Sequence, residues 1–422
     1  MEQLLQSSQG RHVVFFTHNE QSHITPMLVL ARLLVSRGLQ VTCARALPAT
    51  AYASYISTNN SNNTLSCTPE PKFQVESVEE SPQHSCASCN ACTRPRRSSS
   101  LTLCIMPGRT KSQIAFQPGM QDEVIDFIPG LMKGFRVADI PLDFLRRIPA
   151  ELEGLNFLQH SKACAGIVLY NTSYALEVEA EALDALVALG LQIYPVAPML
   201  NMDPCNITTV LYREDDKCLS WLDRQPLGSV VYVSFGSIVS LTREEVLELA
   251  LGLEACGQPF LWVIRCIEGV SDVMSVLPPG FVERINTKGL IVVWAPQVAV
   301  LSHPSVGCFI FHSGLTSLLE AIWAGVPMIG DLYKISEQNT VFRVMTEGWR
   351  VALPIIHESR PHSPLRNCIE TAIKEVLRDG GAAIRLRIAP LRAALKEAVG
   401  PSGISRQYLE QLVDVLLSLA HE

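Results

Sequence analysis

The sequence predicts an α/β protein built from two doubly wound, Rossmann-like domains that face each other across a cleft. Two separate parts of the chain alternate short apolar strands with amphipathic helices, which is the pattern of parallel sheets with right-handed crossovers. The turn-rich stretch 195–216 separates the two series. The chain has 422 residues, which suits two domains of about 200 residues each. Ligands of such folds bind at the carboxyl ends of the strands, so polar residues there are the candidate site residues.

The first series is a strand–helix–strand unit near the N-terminus. A short apolar strand is predicted over 12–17, and after a polar turn the stretch 24–37 has helical spacing. Gly38 ends that helix, and the next strand covers 39–43. His23 lies in the loop after the first strand, at the end of the sheet where a ligand is expected.

The second series begins near Ser229. The strand SVVYVSFGS ends in Gly236 and Ser237, and the amphipathic helix TREEVLELALGLEACG follows it and stops at Gly257. The next strand is PFLWVIR. Ser237 therefore lies at the carboxyl end of the first strand of this series, in the position of a ligand-binding residue.

The stretch 294–338 carries the strongest functional signal. The apolar run 308–311 predicts a buried parallel strand, and Ser313 and Gly314 in the turn after it lead into a helical pattern that Gly325 ends. Such a turn directs backbone N–H groups and the positive end of the helix dipole at one point, which suits a phosphate. An aromatic residue for a base and a carboxylate for a ribose lie in the same stretch, so it predicts a nucleotide-diphosphate site.

Composition narrows the class of protein. The chain is 48% hydrophobic and carries a net charge of −7 with a pI near 5.9, which argues against a nucleic-acid or anionic-membrane surface. No apolar run approaches the ~20 residues of a membrane helix, and the polar N-terminus lacks a signal-peptide core. Thirteen scattered cysteines favour reduced thiols in the cytosol. We therefore expect a cytoplasmic enzyme that acts on small molecules.

The stretch 81–121 breaks the strand–helix pattern. It has few aliphatic residues, a Ser/Arg cluster and no clear period, which is typical of a disordered insert. Its CxxCxxC motif, formed by Cys86, Cys89 and Cys92 with His84 close by, resembles a metal-binding motif. A fourth thiolate at the expected spacing is absent, so we expect no metal there.

The motifs WAPQ, LSHPSVGCF, HSG, LLEAI, AGVPM and a terminal EQ lie in one register over 294–338. Together they resemble the signature segment of the plant-type UDP-dependent glycosyltransferases of family 1, which have the GT-B fold. The stretches HVVFFTHNEQSHITPMLVLARLL, WLDRQPLGSVVYVSFGS, DFIPG, VADIP and GIVLYNTSYALE are also similar to that family. The resemblance covers about 1–80 and 122–420.

The resemblance implies a division into domains. It places an acceptor-binding Rossmann-like domain over 1–200, a linker over 201–217 and a UDP-sugar-binding Rossmann-like domain over 218–402. A C-terminal helix over 403–422 is expected to pack back towards the N-terminal domain. Because 81–121 stands where the family has a longer stretch, the N-terminal domain is expected to be incomplete.

The resemblance also implies roles at a UDP-sugar site. Trp294 would stack on uracil, with Ala295 and Gln297 bonded to the base edge. Glu320 would bind the ribose hydroxyls, a bidentate role suited to a carboxylate, although Ser317-x-x-Glu320 also has the pattern of a helix capping box.

Hydroxyl, imidazole and helix-end groups would hold the diphosphate. The residues in question are Ser237, His312, Gly314, Thr316 and Ser317. Glu337 and Gln338 would meet the sugar hydroxyls, and Gln in the last position implies UDP-glucose as the donor. The UDP-sugar is a co-substrate, and no Asp-x-Asp occurs to support a metal-bridged diphosphate, so no cofactor or metal is implied.

His23 matches the catalytic histidine of the family. It would remove the proton from a hydroxyl of a small lipophilic acceptor as that oxygen attacks the anomeric carbon, and attack opposite the UDP leaving group would invert the centre. His12 and His18 are weaker candidates for this base.

Four departures from the family pattern concern chemistry. The family pairs its catalytic histidine with an aspartate before DFIPG, but the first Asp of this chain is Asp122. Leu315 and Thr316 stand where the family has Trp-Asn. One extra residue precedes Glu337 and Gln338 in LYKISEQ and would displace both from the sugar.

Two hypotheses follow from this comparison of residues. The first is an active inverting UDP-sugar transferase. The second is a catalytically impaired UDP-sugar-binding protein, or the product of a faulty gene model, and the missing aspartate favours weak or absent transfer. A dehydrogenase is excluded, because neither series carries Gly-x-Gly-x-x-Gly after its first strand. The sequence gives no signal for the acceptor's identity or the oligomeric state.

Overall fold

The computed structural model describes residues 12–17, 29–32, 34–35, 37, 40–47, 74–79, 121–126, 129–140, 168–188, 190–198, 217–236, 239, 241–264, 273–330, 338–355 and 363–419. The chain divides into two compact units, Met1–Met120 with Val413–Glu422, and Gln121–Leu412. The division at 200 and the linker stay predictions, since most of the linker lies outside the described residues.

The first unit contains a parallel three-stranded sheet. Its strands are β1 (His12–Thr17), β2 (Gln40–Leu47) and β3 (Gln74–Glu79), in the order β1-β2-β3. Residues 29–32 and 34–35 between β1 and β2 are helical. The strand–helix–strand unit predicted at the N-terminus is therefore confirmed.

A six-stranded parallel sheet forms the centre of the second unit. Its strands are β6 (Val230–Ser234), β7 (Phe260–Val263), β8 (Gly289–Val292), β9 (Val306–Phe311), β10 (Met328–Gly330) and β11 (Ala352–Pro354). They lie in the order β11-β10-β9-β6-β7-β8, so the chain winds outward from β6 in one direction and then from β9 in the other. The sheet is doubly wound, and its switch point lies between β6 and β9, where ligands of this architecture bind.

Helices connect and cover these strands. They are α1 (Glu177–Ala188), α2 (Lys217–Leu222), α3 (Arg243–Cys256), α4 (Phe281–Ile285), α5 (Gln297–Leu301), α6 (Leu315–Ala324), α7 (Gln338–Arg343), α8 (Leu365–Leu377), α9 (Asp379–Ala398) and α10 (Ile404–Leu419). Short 3-10 turns cover Val137–Asp139 and Val273–Val276, and one π-helical turn covers Val344–Gly348. A capping box between Thr242 and Glu245 starts α3, and Gly257 ends it in the left-handed conformation that glycine tolerates, as predicted.

The core of the second unit lies on both faces of its central strands. Every residue of β6 and β9 is buried, as expected for a parallel strand covered on both sides. The register sets Tyr232 beside Phe309, and their rings stack at 4.9 Å. Phe311 stacks on Phe309 at 4.8 Å, so three rings form a continuous layer that leads to the carboxyl end of β9.

A two-stranded parallel sheet, β4 (Val168–Tyr170) and β5 (Ile193–Pro195), lies in the same unit. The start of α10 packs here: Ser405 Oγ donates to the Ala197 carbonyl at 2.8 Å and lies 2.9 Å from Ser173 Oγ. Ser173 and Ala197 fall within the first domain predicted from the sequence, 1–200. The wider return of the C-terminal helix stays a prediction.

Removing the central ring of the aromatic layer tests this description of the core. Phe309→Ala should lower the free energy of unfolding by about 3–5 kcal/mol, because the side chain is fully buried between two rings. The matched control Leu386→Ala removes a side chain that is 76% exposed and should cost less than about 0.5 kcal/mol. Urea titration measures both changes, and equal losses would contradict the description.

Candidate functional site

The turn between β9 and α6 forms the centre of the site. The strand ends at Phe311 and the helix starts at Leu315, with Gly314 at the N-cap in an extended conformation, φ −75 and ψ 136. Ser313 takes the left-handed conformation, φ 61, which lets the chain turn within three residues. The N-cap residue is glycine and has no side chain to bond the first backbone N–H groups of α6, so these groups and the positive end of the helix dipole are directed at this turn. The strand, turn and helix predicted here are confirmed, as is the helix stop at Gly325.

The predicted capping box is wrong. Because Gly314 is the N-cap, Ser317 is the third residue of α6 and Glu320 lies in its second turn. Ser317 Oγ and Glu320 Oε2 instead accept hydrogen bonds from the Gln297 amide nitrogen, at 2.9 and 2.7 Å. Both side chains therefore bond to Gln297 of α5 and not to the N-terminus of α6.

His312 lies between two glycines. A Cβ built on Gly236 would come within 2.5 Å of the imidazole Cε1, and a Cβ on Gly314 within 2.5 Å of its Nε2. Any larger residue at either position would displace the ring. Burial lowers the pKa of His312 to about 4, although a backbone hydrogen bond with Ser234 raises it. At neutral pH the imidazole is uncharged, so it can meet a phosphate as a hydrogen-bond donor but not as a cation.

A hydrogen-bonded network joins β6, α5 and α6 around Gln297. The Tyr232 hydroxyl donates to Gln297 Oε1 at 3.3 Å, while the amide nitrogen uses its two hydrogens on Ser317 and Glu320. Burial raises the pKa of Glu320 to about 7, against the opposing effect of the bond from Gln297. The site therefore holds a carboxyl group that titrates near neutral pH, a property common at functional sites.

Sequence reasoning missed Tyr232. It lies inside β6 with 1% of its surface exposed, and burial raises the pKa of its hydroxyl. Its position two residues before Ser234, on one face of a strand that ends at the switch point, is the signal that could have identified it.

A family model described as UDP-glucoronosyl and UDP-glucosyl transferase matches residues 163–385, more than half of the chain. The chain belongs to this family. The matched residues include all six strands of the doubly wound sheet and the network around Gln297. The family resemblance stated from the motifs is therefore confirmed.

Curated members of the family resemble the chain over most of its length. It is 34% identical to a myricetin 3-O-rhamnosyltransferase of Crocosmia x crocosmiiflora over 72% of this chain and 64% of that protein. It is also 34% identical to a 7-deoxyloganetin glucosyltransferase of Catharanthus roseus, over 72% of this chain and 62% of that protein. The matched part thus spans less than two thirds of the length of these relatives.

The fold also agrees with solved structures of the glycosyltransferase family. A UDP-glucose:anthocyanidin 3-O-glucosyltransferase in complex with UDP aligns with a TM-score of 0.71 at 24% identity, over 97% of this chain and 99% of that one. The predicted GT-B, α/β fold class is confirmed. No helix within the described ranges is both long and apolar enough to cross a membrane.

The other predicted site residues that the structure describes lie between 294 and 338. Trp294 is half-buried and Ala295 is buried just before α5, and Thr316 is half-buried in the first turn of α6. Gln338 starts α7 with 5% of its surface exposed.

Three predicted residues, His23, Ser237 and Glu337, lie outside the described residues, as does the CxxCxxC stretch. Within the described part of the chain, no group of three or more His, Cys, Asp or Glu side chains could hold a metal ion.

The raised pKa of Glu320 predicts a pH-dependent stability. Between its ordinary value of 4.5 and about 7, the folded state keeps the proton that the unfolded state loses, so stability is lost as pH rises through this window. Glu320→Gln, which resembles the protonated acid, should gain about 2 kcal/mol relative to the wild type between about pH 5 and about pH 8. Urea titration at both pH values measures the difference in the free energy of unfolding between the variant and the wild type. The lowered pKa of His312 has the opposite effect on stability, but both proteins contain His312, so its contribution cancels in the difference.

Glu248→Gln is the matched control. Burial raises the pKa of Glu248, but hydrogen bonds from Arg366 outweigh it and lower the pKa below 4.5. The stability difference of this variant should therefore stay constant above about pH 5. A stability difference for Glu320→Gln that does not change with pH would refute the raised pKa of Glu320.

Proposed function

We propose that the chain is an inverting UDP-glycosyltransferase that transfers glucose from UDP-glucose to a hydroxyl of a small lipophilic acceptor. One observation carries this proposal. Gln297, Ser317 and Glu320 are hydrogen-bonded together beside the start of α6, which has glycine at its N-cap, at the switch point of a sheet within the residues that match the UDP-sugar transferase family. An aromatic residue, a half-buried carboxyl group and a helix N-terminus suit the base, the ribose and the phosphates of a nucleoside diphosphate.

The uridine end of the donor would bind across α5 and α6. Trp294 stacks on uracil, Ala295 supplies backbone hydrogen bonds to the base edge, and Glu320 receives the ribose hydroxyls. Because the Gln297 amide is held by Ser317 and Glu320, we assign Gln297 to the ribose side of the site. The Glu320 carboxyl then loses its proton as it accepts the ribose hydroxyls, which favours the charged form.

The diphosphate would lie against the start of α6. Backbone N–H groups from Gly314 onward, the hydroxyls of Thr316, Ser317 and Ser237, and the neutral imidazole of His312 donate to its oxygens. The helix dipole supplies the electrostatic part of the attraction, which increases as charge develops on the leaving UDP. Glu337 and Gln338 complete the donor site at the sugar hydroxyls.

The acceptor hydroxyl would lose its proton to His23 as its oxygen attacks the anomeric carbon opposite UDP. The names of relatives support both ends of the reaction, since they include glucosyl transfer as well as the small acceptors myricetin and 7-deoxyloganetin. These relatives do not favour the alternative of a UDP-sugar-binding protein without catalysis. His23 then acts without the usual aspartate, because the chain has no Asp before Asp122.

Two further properties belong to the proposal. The enzyme works in the cytosol, as the scattered odd number of cysteines suggests, and it needs no metal ion or other cofactor. The absence of Asp-x-Asp from the sequence and the complementary donors around His312 support a diphosphate held by the protein alone.

Incubation of the purified chain with UDP-glucose and a panel of phenols tests the function. We expect glucoside formation that EDTA does not reduce and that His23→Ala lowers at least about a hundredfold, because the base is lost. The control His303→Ala removes a histidine that bonds to Asp223 and Ser305, and it should keep the wild-type rate. UDP should raise the melting temperature of all three proteins.

The outcomes separate the parts of the proposal. Stabilisation by UDP without any glucoside would support the nucleotide site and contradict transfer. Absence of stabilisation by UDP would contradict the nucleotide site itself.

A further inference from the structure

The helix that begins at Gln338 is held by a segment from the other half of the chain. The Asn339 amide, the Thr340 hydroxyl and the Arg343 guanidinium donate to backbone carbonyls within 134–139, at 3.1, 2.8 and 2.8 Å. Positions 339, 340 and 343 share one face of a helix, so these three bonds define the face of α7 that meets the segment. A helix bonded along one face has a defined rotation as well as a defined place.

An ion cluster lies at the middle of this contact. The Asp139 carboxylate accepts the backbone N–H of Arg136 at 2.7 Å, and Arg343 Nε and Arg136 Nε approach the same oxygen at 3.4 and 3.8 Å. Only 7% of Asp139 is exposed. Burial raises the pKa of Asp139 in spite of the backbone bond and the two guanidinium groups, so removal from water outweighs their attraction. The cost of removing both charges from water offsets much of the attraction in such a buried pair, so the cluster is weak evidence for added stability.

The opposite face of α7 packs into the core. Val341 is 7% exposed, and Met345 in the following turn is fully buried. A Cβ built on Gly330 of β10 would overlap Met345 Cε and lie 3.2 Å from Phe342. The helix therefore has no room to move towards the sheet, and its contact with 134–139 prevents movement away from it.

We propose that Asp139 and Arg343 are positioning residues for the sugar end of the donor site. We call the ion cluster and the three hydrogen bonds between α7 and 134–139 the tie. The tie holds α7 so that its first residue, Gln338, meets the sugar hydroxyls. This inference rests on the proposed function, which assigns that role to Gln338. The contact with 134–139 then sets the position of Gln338 through residues 339, 340 and 343, which follow it in α7. The extra residue in the loop before α7 should therefore displace Gln338 less than the sequence suggests.

Loss of the tie should weaken the binding of the sugar part of the donor and leave the binding of its nucleotide part unchanged. Trp294, Gln297 and Glu320 lie before α5, at its start and on α6, and none of the tie contacts described above involves these elements. Loosening α7 should therefore weaken the binding of UDP-glucose while leaving the binding of UDP unchanged. A cluster that only stabilised the fold would change both affinities together or neither.

Calorimetric titration of the full chain with UDP and with UDP-glucose tests this inference. Asp139→Asn removes the charge and Arg343→Lys removes the planar fork but keeps the charge. Each should weaken UDP-glucose binding about tenfold and change UDP binding less than about twofold, because the loss affects the position of Gln338 and not the residues assigned to the nucleotide. The same variants should raise the KM for UDP-glucose more than they lower kcat.

Two other variants keep the test decisive. Thr340→Val removes one hydroxyl donor without a change of shape and should weaken UDP-glucose binding about threefold, even if the charge variants fold poorly. The control Glu248→Gln breaks an ion pair between α3 and α8, which carry none of the donor-site residues, and should leave both affinities at wild-type values.

The contradicting results are distinct. Equal losses for UDP and UDP-glucose, or wild-type affinities in all three tie variants, would overturn the positioning role alone. A wild-type chain that binds neither ligand would overturn the proposed function together with the inference that rests on it.

Discussion

The parallel pairing of β6 with β9 is the constraint on which the site depends. These two strands meet at the switch point of the sheet, and their register sets Tyr232 against Phe309 and Ser234 against Phe311. As a result, the residues that follow the two strands come together, with Gly236 from one against His312 from the other. A shift of one residue in this register would reverse the face of every side chain and separate the hydroxyl of Tyr232 from Gln297.

Burial shifts the pKa values of His312 and Glu320 in opposite directions. It lowers the pKa of His312 to about 4 and raises the pKa of Glu320 to about 7, so both groups are driven towards their neutral forms. An anionic ligand therefore meets a site whose attraction comes from backbone N–H groups and the dipole of α6, and not from a formal cation among these residues. Such fixed dipoles need little reorganisation as negative charge develops on a bound group.

Local patterns in the sequence predicted the elements of the site well. The apolar run before His312, the glycine-bearing turn and the stop at Gly325 specify a strand, a turn and a helix by rules that depend on neighbouring residues alone. The same rules failed at Ser317 and Glu320, where a capping-box pattern matched by spacing but the turn after β9 started the helix earlier. Sequence spacing could not show that the Gln297 amide donates hydrogen bonds to both of these side chains.

Contacts between distant parts of the chain were beyond sequence reasoning. Tyr232 becomes a site residue only because β9 brings Phe309 beside it and α5 brings Gln297 to its hydroxyl. The cluster of Asp139 and Arg343 joins opposite halves of the chain, and neither residue belongs to a local motif that indicates the other. Tertiary packing alone creates both arrangements.

A crystal structure of the full chain with UDP tests the central claim most directly, namely that the segment 294–338 forms a uridine-diphosphate site. We expect the uracil ring stacked on Trp294, the ribose hydroxyls within hydrogen-bond distance of Glu320, and the diphosphate at the start of α6. UDP bound elsewhere on the protein, with Trp294 and Glu320 in contact with solvent, would contradict the account.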